Sequence, residues 1–220
     1  MAAPSCASPS RSAHNNPIAV NEPTVFIVDD DQAVARSLRW LIESVRLRVE
    51  NFGSAQAFID GYDAARPGCL VLDVRMPGMS GLELQERLAA QRIHIPIIFI
   101  TGHGDVQMAV RAVQAGAFDF VEKPFNDQDL LDRIQRGITR DAEWRDRDLQ
   151  QARLRALFAT LTPRETEVLE LVVEGLPNKA VANALGLSAK TVEVHRAKVM
   201  EKMHARSLSD LVKMAMQRQS

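Results

Sequence analysis

Four short strand-like segments, each ending in a polar or charged group, constrain this chain most. They are Val25-Phe26-Ile27-Val28 before Asp29, Asp30 and Asp31; Cys69-Leu70-Val71-Leu72 before Asp73; Ile97-Ile98-Phe99-Ile100 before Thr101; and Phe118-Asp119-Phe120-Val121-Glu122 before Lys123. Apolar runs of this length, alternating with stretches of helical period, are the pattern of a parallel sheet covered by helices on both faces. Such sheets bind ligands beyond the carboxyl ends of their strands. The four ends therefore converge on one site holding carboxylates, a hydroxyl and an ammonium, which suits a divalent cation and a phosphoryl group.

At 220 residues the chain exceeds the usual domain of about 100–150 residues, so two domains are expected. No apolar run approaches the ~20 residues that span a bilayer, and the N-terminal tail lacks the apolar segment of a secretory signal. The chain therefore reads as cytoplasmic, with no membrane partner. Cys6 and Cys69 suit a reducing compartment and offer neither a disulfide framework nor a metal spacing. The net charge of −1 conceals an asymmetry: residues 1–138 carry 13 Lys plus Arg against 17 Asp plus Glu, and residues 175–220 carry 8 against 3. A basic C-terminal end points to a polyanionic partner.

Residues 1–22, rich in Ala, Ser, Pro and Asn, read as a disordered tail. Residues 23–138 alternate strand and helix, which gives an α/β doubly wound, five-stranded parallel sheet. Val34, Leu38, Leu41 and Val45 recur at the spacing of a first helix, with Asp31 as its cap rather than as a metal ligand. Val49 to Phe52 form the second strand, Ser54 caps the helix after it, and Gly81 begins a helix with Leu82, Leu84 and Leu88 inward. Asp105 caps a fourth helix that Gly116 stops, and a fifth starts near Asp127 with Leu130, Leu131, Ile134 and Ile138 inward. Residues 139–160 hold charges of alternating sign and neither Gly nor Pro, so they continue the fifth helix as a semi-rigid linker. Leu149, Leu154, Leu157 and Phe158 give that linker an apolar edge, for packing on its own domains or on a second copy.

Residues 161–220 read as a small all-α domain. Thr162-Pro163-Arg164-Glu165 is a capping box with Pro at the first helical position. A short helix from Asn178 to Leu185, a stop at Gly186 and a longer helix capped by Ser188 and running to about Met203 make a helix-turn-helix. A last helix follows Ser207. Val192, His195, Val199 and Met203 are expected to face inward. For a helix lying in a major groove, Glu193, Val194 and Ala197 are the candidates for base reading, with Lys179, Lys190, Arg196 and Lys198 near phosphates. Glu193 has two readings, as an acceptor from a cytosine amino group or as a solvated partner of Lys190.

Carboxylates crowded at the first site repel one another unless a hard cation joins them, and Mg²⁺ takes a few carboxylate oxygens, a carbonyl and phosphoryl oxygens. Val28-Asp29-Asp30-Asp31, Leu72-Asp73-Val74-Arg75-Met76-Pro77-Gly78-Met79-Ser80-Gly81, Ile100-Thr101-Gly102-His103-Gly104 and Glu122-Lys123-Pro124-Phe125 resemble the receiver domain of two-component response regulators. That resemblance implies Asp73 as phosphoacceptor and Asp29, Asp30, Asp73 and the Arg75 backbone carbonyl as Mg²⁺ ligands. It further implies Thr101 and Lys123 as binders of the phosphoryl group, Phe120 as an aromatic switch, and a cis Lys123-Pro124 bond. His103, at the mouth of this site, has no partner that would make it a base. Leu161 to Glu165, Gly175-Leu176-Pro177-Asn178-Lys179 and Thr191-Val192-Glu193-Val194-His195-Arg196 resemble the LuxR-type helix-turn-helix domain. The pair is similar to the FixJ/NarL class of transcription regulators, although Pro177 stands where many members have a capping Ser or Thr.

The resemblance implies a sensor histidine kinase and double-stranded promoter DNA as partners. It also implies a homodimer on phosphorylation, through the face of the fourth helix and fifth strand, where Val110, Arg111 and Gln114 point outward. An aspartate-nucleophile phosphatase would carry its nucleophile in an Asp-x-Asp after the first strand, whereas the isolated Asp here follows the third, so no enzyme is expected. A regulator with a small-molecule domain would need an apolar pocket, and these strand ends carry charge instead.

Overall fold

The computed structural model describes residues 22–102 and 106–219. Two compact units divide the chain after Ala142. In the first, β1 (Thr24–Val28), β2 (Arg48–Phe52), β3 (Gly68–Asp73), β4 (Ile97–Thr101) and β5 (Asp119–Glu122) form one parallel sheet in the order β2-β1-β3-β4-β5. The helices between them are α1 (Gln32–Ser44), α2 (Ala55–Gly61), α3 (Gly81–Ala90) and α4 (Val106–Gln114). α5 (Asp127–Ala159) continues without a break through residues 139–159, as the lack of Gly and Pro there predicts.

Strand side chains alternate between faces, and here both faces are buried. Phe26, Leu70, Leu72 and Phe99 join Phe58 of α2, Leu84 and Leu88 of α3 and Ala112 of α4. Val25, Ile27, Val71, Ile98 and Ile100 join Leu38 and Ile42 of α1 and Leu130 and Ile134 of α5. The first face is aromatic, with Phe26, Phe58 and Tyr62 in edge and stacked contacts, and the second is aliphatic. Gly68 opens β3 at φ +150°, where a Cβ would stand 1.8 Å from the Thr24 carbonyl oxygen. Its N–H donates to Oδ2 of Asp141, a buried residue of α5, at 2.8 Å.

Local chemistry explains most element ends. Asp31 caps α1 by accepting from the Ala33 and Val34 amides, and Ser54 caps α2. Val45 does not belong to the buried stripe of α1, which runs through Ala35, Leu38 and Ile42; it is the C-cap and lies exposed. The helical spacing that includes Val45 extends past the end of α1, where Arg46 at φ +64° turns the chain away. α4 ends at Gln114, before Gly116 at φ +92°. Asp105, read as its cap, and His103 lie outside the described residues.

The second unit packs α6 (Pro163–Val173), α7 (Asn178–Leu185), α8 (Ala189–Lys202) and α9 (Leu208–Gln219). Its core is Val168, Leu169 and Val172 with Val181, Val192, Val199, Met203 and Leu211, and Leu157 and Phe158 of α5 pack against it. Leu149, also placed on the apolar edge of the linker, is exposed. No described helix is long and apolar enough to cross a membrane.

Candidate functional site

The order β2-β1-β3-β4-β5 puts β1 and β3 side by side, with the chain leaving β1 toward β2 on one side and β3 lying on the other. Open α/β sheets bind ligands beyond the carboxyl ends of the strands at such a reversal. Asp29 follows β1 and Asp73 ends β3 there. Lys123, after β5, sends its Nζ to Asp73 Oδ1 at 3.0 Å and to Asp29 Oδ2 at 3.5 Å. The Lys123 backbone N–H donates to the Thr101 carbonyl at 2.7 Å, which fixes Lys123 beside the end of β4. Asp73 Oδ2 accepts from the Arg75 amide at 2.8 Å, and the Lys123-Pro124 bond is cis.

Asp29 is 4% exposed. Its Oδ1 accepts from the Asp31 amide at 2.8 Å, whereas Oδ2 is buried with no hydrogen bond among the described residues. Burial pushes the Asp29 carboxyl above the ordinary aspartate value and the Asp73 charge adds to the rise, against partial offsets from the Asp31 amide and Lys123. For Lys123 burial acts downward, and the hydrogen bond and charge of Asp73, with the smaller effect of Asp29, outweigh it and hold the ammonium above the ordinary lysine value. The two shifts agree once distance is counted. Lys123 belongs chiefly to Asp73, and Asp29 at 3.5 Å receives too little of its charge to repay burial.

The structure thus brings Asp29, Asp73, Lys123 and the Thr101 strand end together. Thr101 is buried, with its hydroxyl 3.3 Å from the Gly102 carbonyl oxygen. Asp30 is exposed, and among the described residues no three His, Cys, Asp or Glu side chains are drawn together as a metal-holding set. Phe120 pairs in register with Phe99 and is 39% exposed. In the sequence Gly81 marks only a helix start. A Cβ there would stand 2.3 Å from the Asp73 carbonyl oxygen, so α3 begins pressed against the residue that ends β3. Its cap, the Ser80 and Glu83 capping box, was legible as Ser-x-x-Glu.

In the second unit the helix-turn-helix is α7, Gly186 at φ +65° and α8 capped by Ser188. Lys190, Glu193, Val194, Ala197 and Lys198 are exposed on α8, and Lys179 is exposed on α7. Arg196 is half-buried and donates from Nη1 to Asn178 Oδ1 at 2.6 Å, so its charge does not stand free toward solvent. His195 is half-buried with Nδ1 unpartnered among the described residues, and Pro177 leaves α7 without a side-chain cap.

Residues 25–135 match the response regulator receiver domain, and residues 159–215 match the bacterial regulatory proteins of the luxR family. The chain belongs to the two-component response regulators of the FixJ/NarL class, which join these two domains. It is accordingly a phosphorylation-dependent, DNA-binding transcription regulator, in a family of regulators rather than enzymes. Nodulation protein W of Bradyrhizobium diazoefficiens is 52% identical over 191 residues, covering 87% of this chain and 84% of that protein. Transcriptional regulatory protein FixJ of Rhizobium meliloti is 48% identical over 197 residues, covering 88% and 95%. A low-resolution structure of the response regulator StyR superposes with a TM-score of 0.83 at 49% identity, covering 89% of this chain and 99% of that one. Full-length FixJ from B. japonicum superposes with a TM-score of 0.56 at 42% identity, covering 90% and 98%. The two domains imply a histidine kinase partner and DNA binding, and receiver domains of this family typically bind Mg²⁺.

Proposed function

We propose that Asp73 is the phosphoacceptor of this regulator, and that its phosphorylation drives dimerisation and operator binding through α8. The observation that carries the reading is the Lys123 ammonium set between Asp73 and Asp29 at the β1/β3 reversal. A carboxylate oxygen of Asp73 attacks phosphorus, the bond from phosphorus to the donor breaks, and its electron pair leaves with the donor. That donor group is an imidazole nitrogen for a phosphohistidine of the kinase and acetate for acetyl phosphate. Lys123 stays to neutralise a phosphoryl oxygen, and the Thr101 hydroxyl donates to another.

The donor chemistry fits Mg²⁺: Asp29 Oδ2 is buried without a hydrogen bond among the described residues and lies beside the Asp73 carboxylate, and Asp30 and the Arg75 carbonyl would supply further oxygens. Bound there, the cation would offset the negative charge gathered by the carboxylates and the phosphoryl oxygens. Asp73→Asn keeps the size and removes the nucleophile. It should abolish the mass gain of one phosphoryl group from acetyl phosphate with the fold intact, and retained labelling would move the acceptor to another residue.

Drawing Thr101 toward the phosphoryl group makes room for Phe120 to turn inward and reshape the face of α4 and β5, where Val110, Val113, Arg111 and Gln114 are exposed. Dimerisation there presents two copies of α8 to half-sites about one helical turn apart. On α8, Glu193, Val194 and Ala197 face bases while Lys190 and Lys198, with Lys179 of α7, face phosphates. Phosphorylation shifts this equilibrium only by binding the dimer better than the monomer. Sedimentation with and without acetyl phosphate is expected to show monomer going to dimer. A phosphorylated chain that occupies DNA as a monomer would replace dimerisation by release of the DNA-binding domain.

A further inference from the structure

Arg196 departs from Lys190, Glu193, Lys198 and Glu201, the exposed charged residues of α8. Counted from Val192 it stands at i+4, with Val199 and Met203 at i+7 and i+11, so it shares the stripe by which the helix buries itself. It lines a small cavity with Val168, Leu169, Val172, Val199 and Leu211. Its guanidinium crosses the turn to Asn178, the first residue of α7, at 2.6 Å. A phosphate-binding side chain keeps its charged head toward solvent, whereas this one is drawn across the domain's own helices. The bond is charge-assisted, and a guanidinium offers its donors in a rigid planar fork, which makes it a strut between the two helices.

We propose that Arg196 is a positioning residue for sequence discrimination: tied to Asn178, it fixes how α7 and α8 cross. Lys179 follows Asn178 directly, and Glu193 lies one turn before Arg196. The strut therefore sets the distance between a backbone-contacting lysine and the base-facing surface of Glu193, Val194 and Ala197. Base readout fails when that surface shifts by a fraction of an ångström, while attraction to phosphates survives the shift. The inference rests on α8 being the groove helix.

The test uses the full-length chain with two probes, a duplex enriched by the wild type from a random pool and a shuffled duplex of the same length. Wild type must prefer the first and weaken with salt; if it does neither, the reading of α8 itself fails. Asn178→Ala and Arg196→Met, which retains an apolar stem, should each cut the ratio of the two affinities by roughly tenfold. The slope of log affinity against log salt should stay unchanged in both. The double variant should lose no more than either single one, because both break the same bond. Asn178→Asp keeps the acceptor, so it should preserve the ratio while lowering both affinities alike. The proposal is overturned if Arg196→Met weakens both duplexes equally with a slope lower by about 0.9, as for a lost phosphate contact. Should Arg196→Met fail to fold, Asn178→Ala decides, and an unchanged ratio in that variant overturns it.

Discussion

Asp29 and Glu165 are both buried carboxylates, 4% and 3% exposed, and the two domains treat them in opposite ways. Glu165 Oε2 accepts from the Thr162 amide at 2.9 Å and from Lys202 Nζ at 2.6 Å, and Lys202 is itself held by the Thr160 carbonyl at 3.0 Å. The Lys202 hydrogen bond first, then the Thr162 amide, pull the Glu165 carboxyl down to about 2. Asp29 Oδ2 has no hydrogen bond among the described residues, with Lys123 Nζ no closer than 3.5 Å, and burial pushes its carboxyl upward. A buried charge is costly unless its donors are supplied. Where the fold supplies them the acid stabilises; where it withholds them the buried charge is left partly uncompensated.

The strongest way to break this comparison is Asp29→Asn. If Asp29 awaits a cation, Mg²⁺ at about 100 times its Kd should stabilise the wild type by about 2.7 kcal/mol, and the variant should lose most of that gain. Without Mg²⁺ the variant should melt higher, because the amide keeps the acceptor for Asp31 and removes the buried charge. The pH dependence has a definite sign: a carboxyl with a raised folded pKa favours the fold below its unfolded pKa, and that contribution is lost as pH rises through the folded pKa. Thermal melts of both proteins with and without Mg²⁺ decide this. An Asp29→Asn protein that keeps the full Mg²⁺ shift would return Asp29 to a purely structural role.

Glu165→Ala tests the other side and should cost about 2 kcal/mol, from the capping box and the bond to Lys202 together. Its pH sign is opposite: a depressed folded pKa gives stability that is present above the unfolded pKa, near the 4.5 of an ordinary Glu, and lost as pH falls toward about 2. Hydrogen exchange of the α6 amides should report this loss with no change at the ends of β1 and β3. Faster exchange in both units, or in neither, would dissolve the contrast.

The gathering of Asp29, Asp73, Thr101 and Lys123 was legible because a sheet with strands of one direction delivers every strand end to the same edge. Asp29, Asp73, Thr101 and Lys123 therefore assemble from spacing alone. Contacts that depend on shape or on distant partners were not. Gly81 looks like any helix start until its missing Cβ is seen against the Asp73 carbonyl. Asp141 looks like one more charge in an alternating run, yet it meets the amide of Gly68, 73 positions away. On α8 the pattern puts His195 on the inward stripe and Arg196 toward phosphates, and it does not show that Arg196 reaches across to Asn178. Periodicity resolves faces, and a long flexible side chain at the edge of a face chooses its partner by geometry that periodicity does not contain.

The smallest expected effect concerns two lysines in opposite settings. Lys123 is half-buried and paired, with its charge already engaged by Asp73, while Lys198 is exposed on α8 away from the buried stripe. Surface substitutions of that kind usually change stability by less than about 0.5 kcal/mol, so Lys198→Ala should fold and melt like the wild type. Its consequence should appear in the salt dependence of DNA binding, since each neutralised phosphate releases counterions at a log-log slope of about 0.9. Lys198→Ala should lower that slope by about one contact and weaken enriched and shuffled duplexes alike, because a phosphate contact carries no sequence information. Lys123→Ala should leave the slope of the isolated binding step unchanged, since its ammonium serves the other domain's site. A slope that stays put in Lys198→Ala would return Lys198 to solvent and leave Lys179 and Lys190 as the residues that carry the electrostatic attraction to DNA.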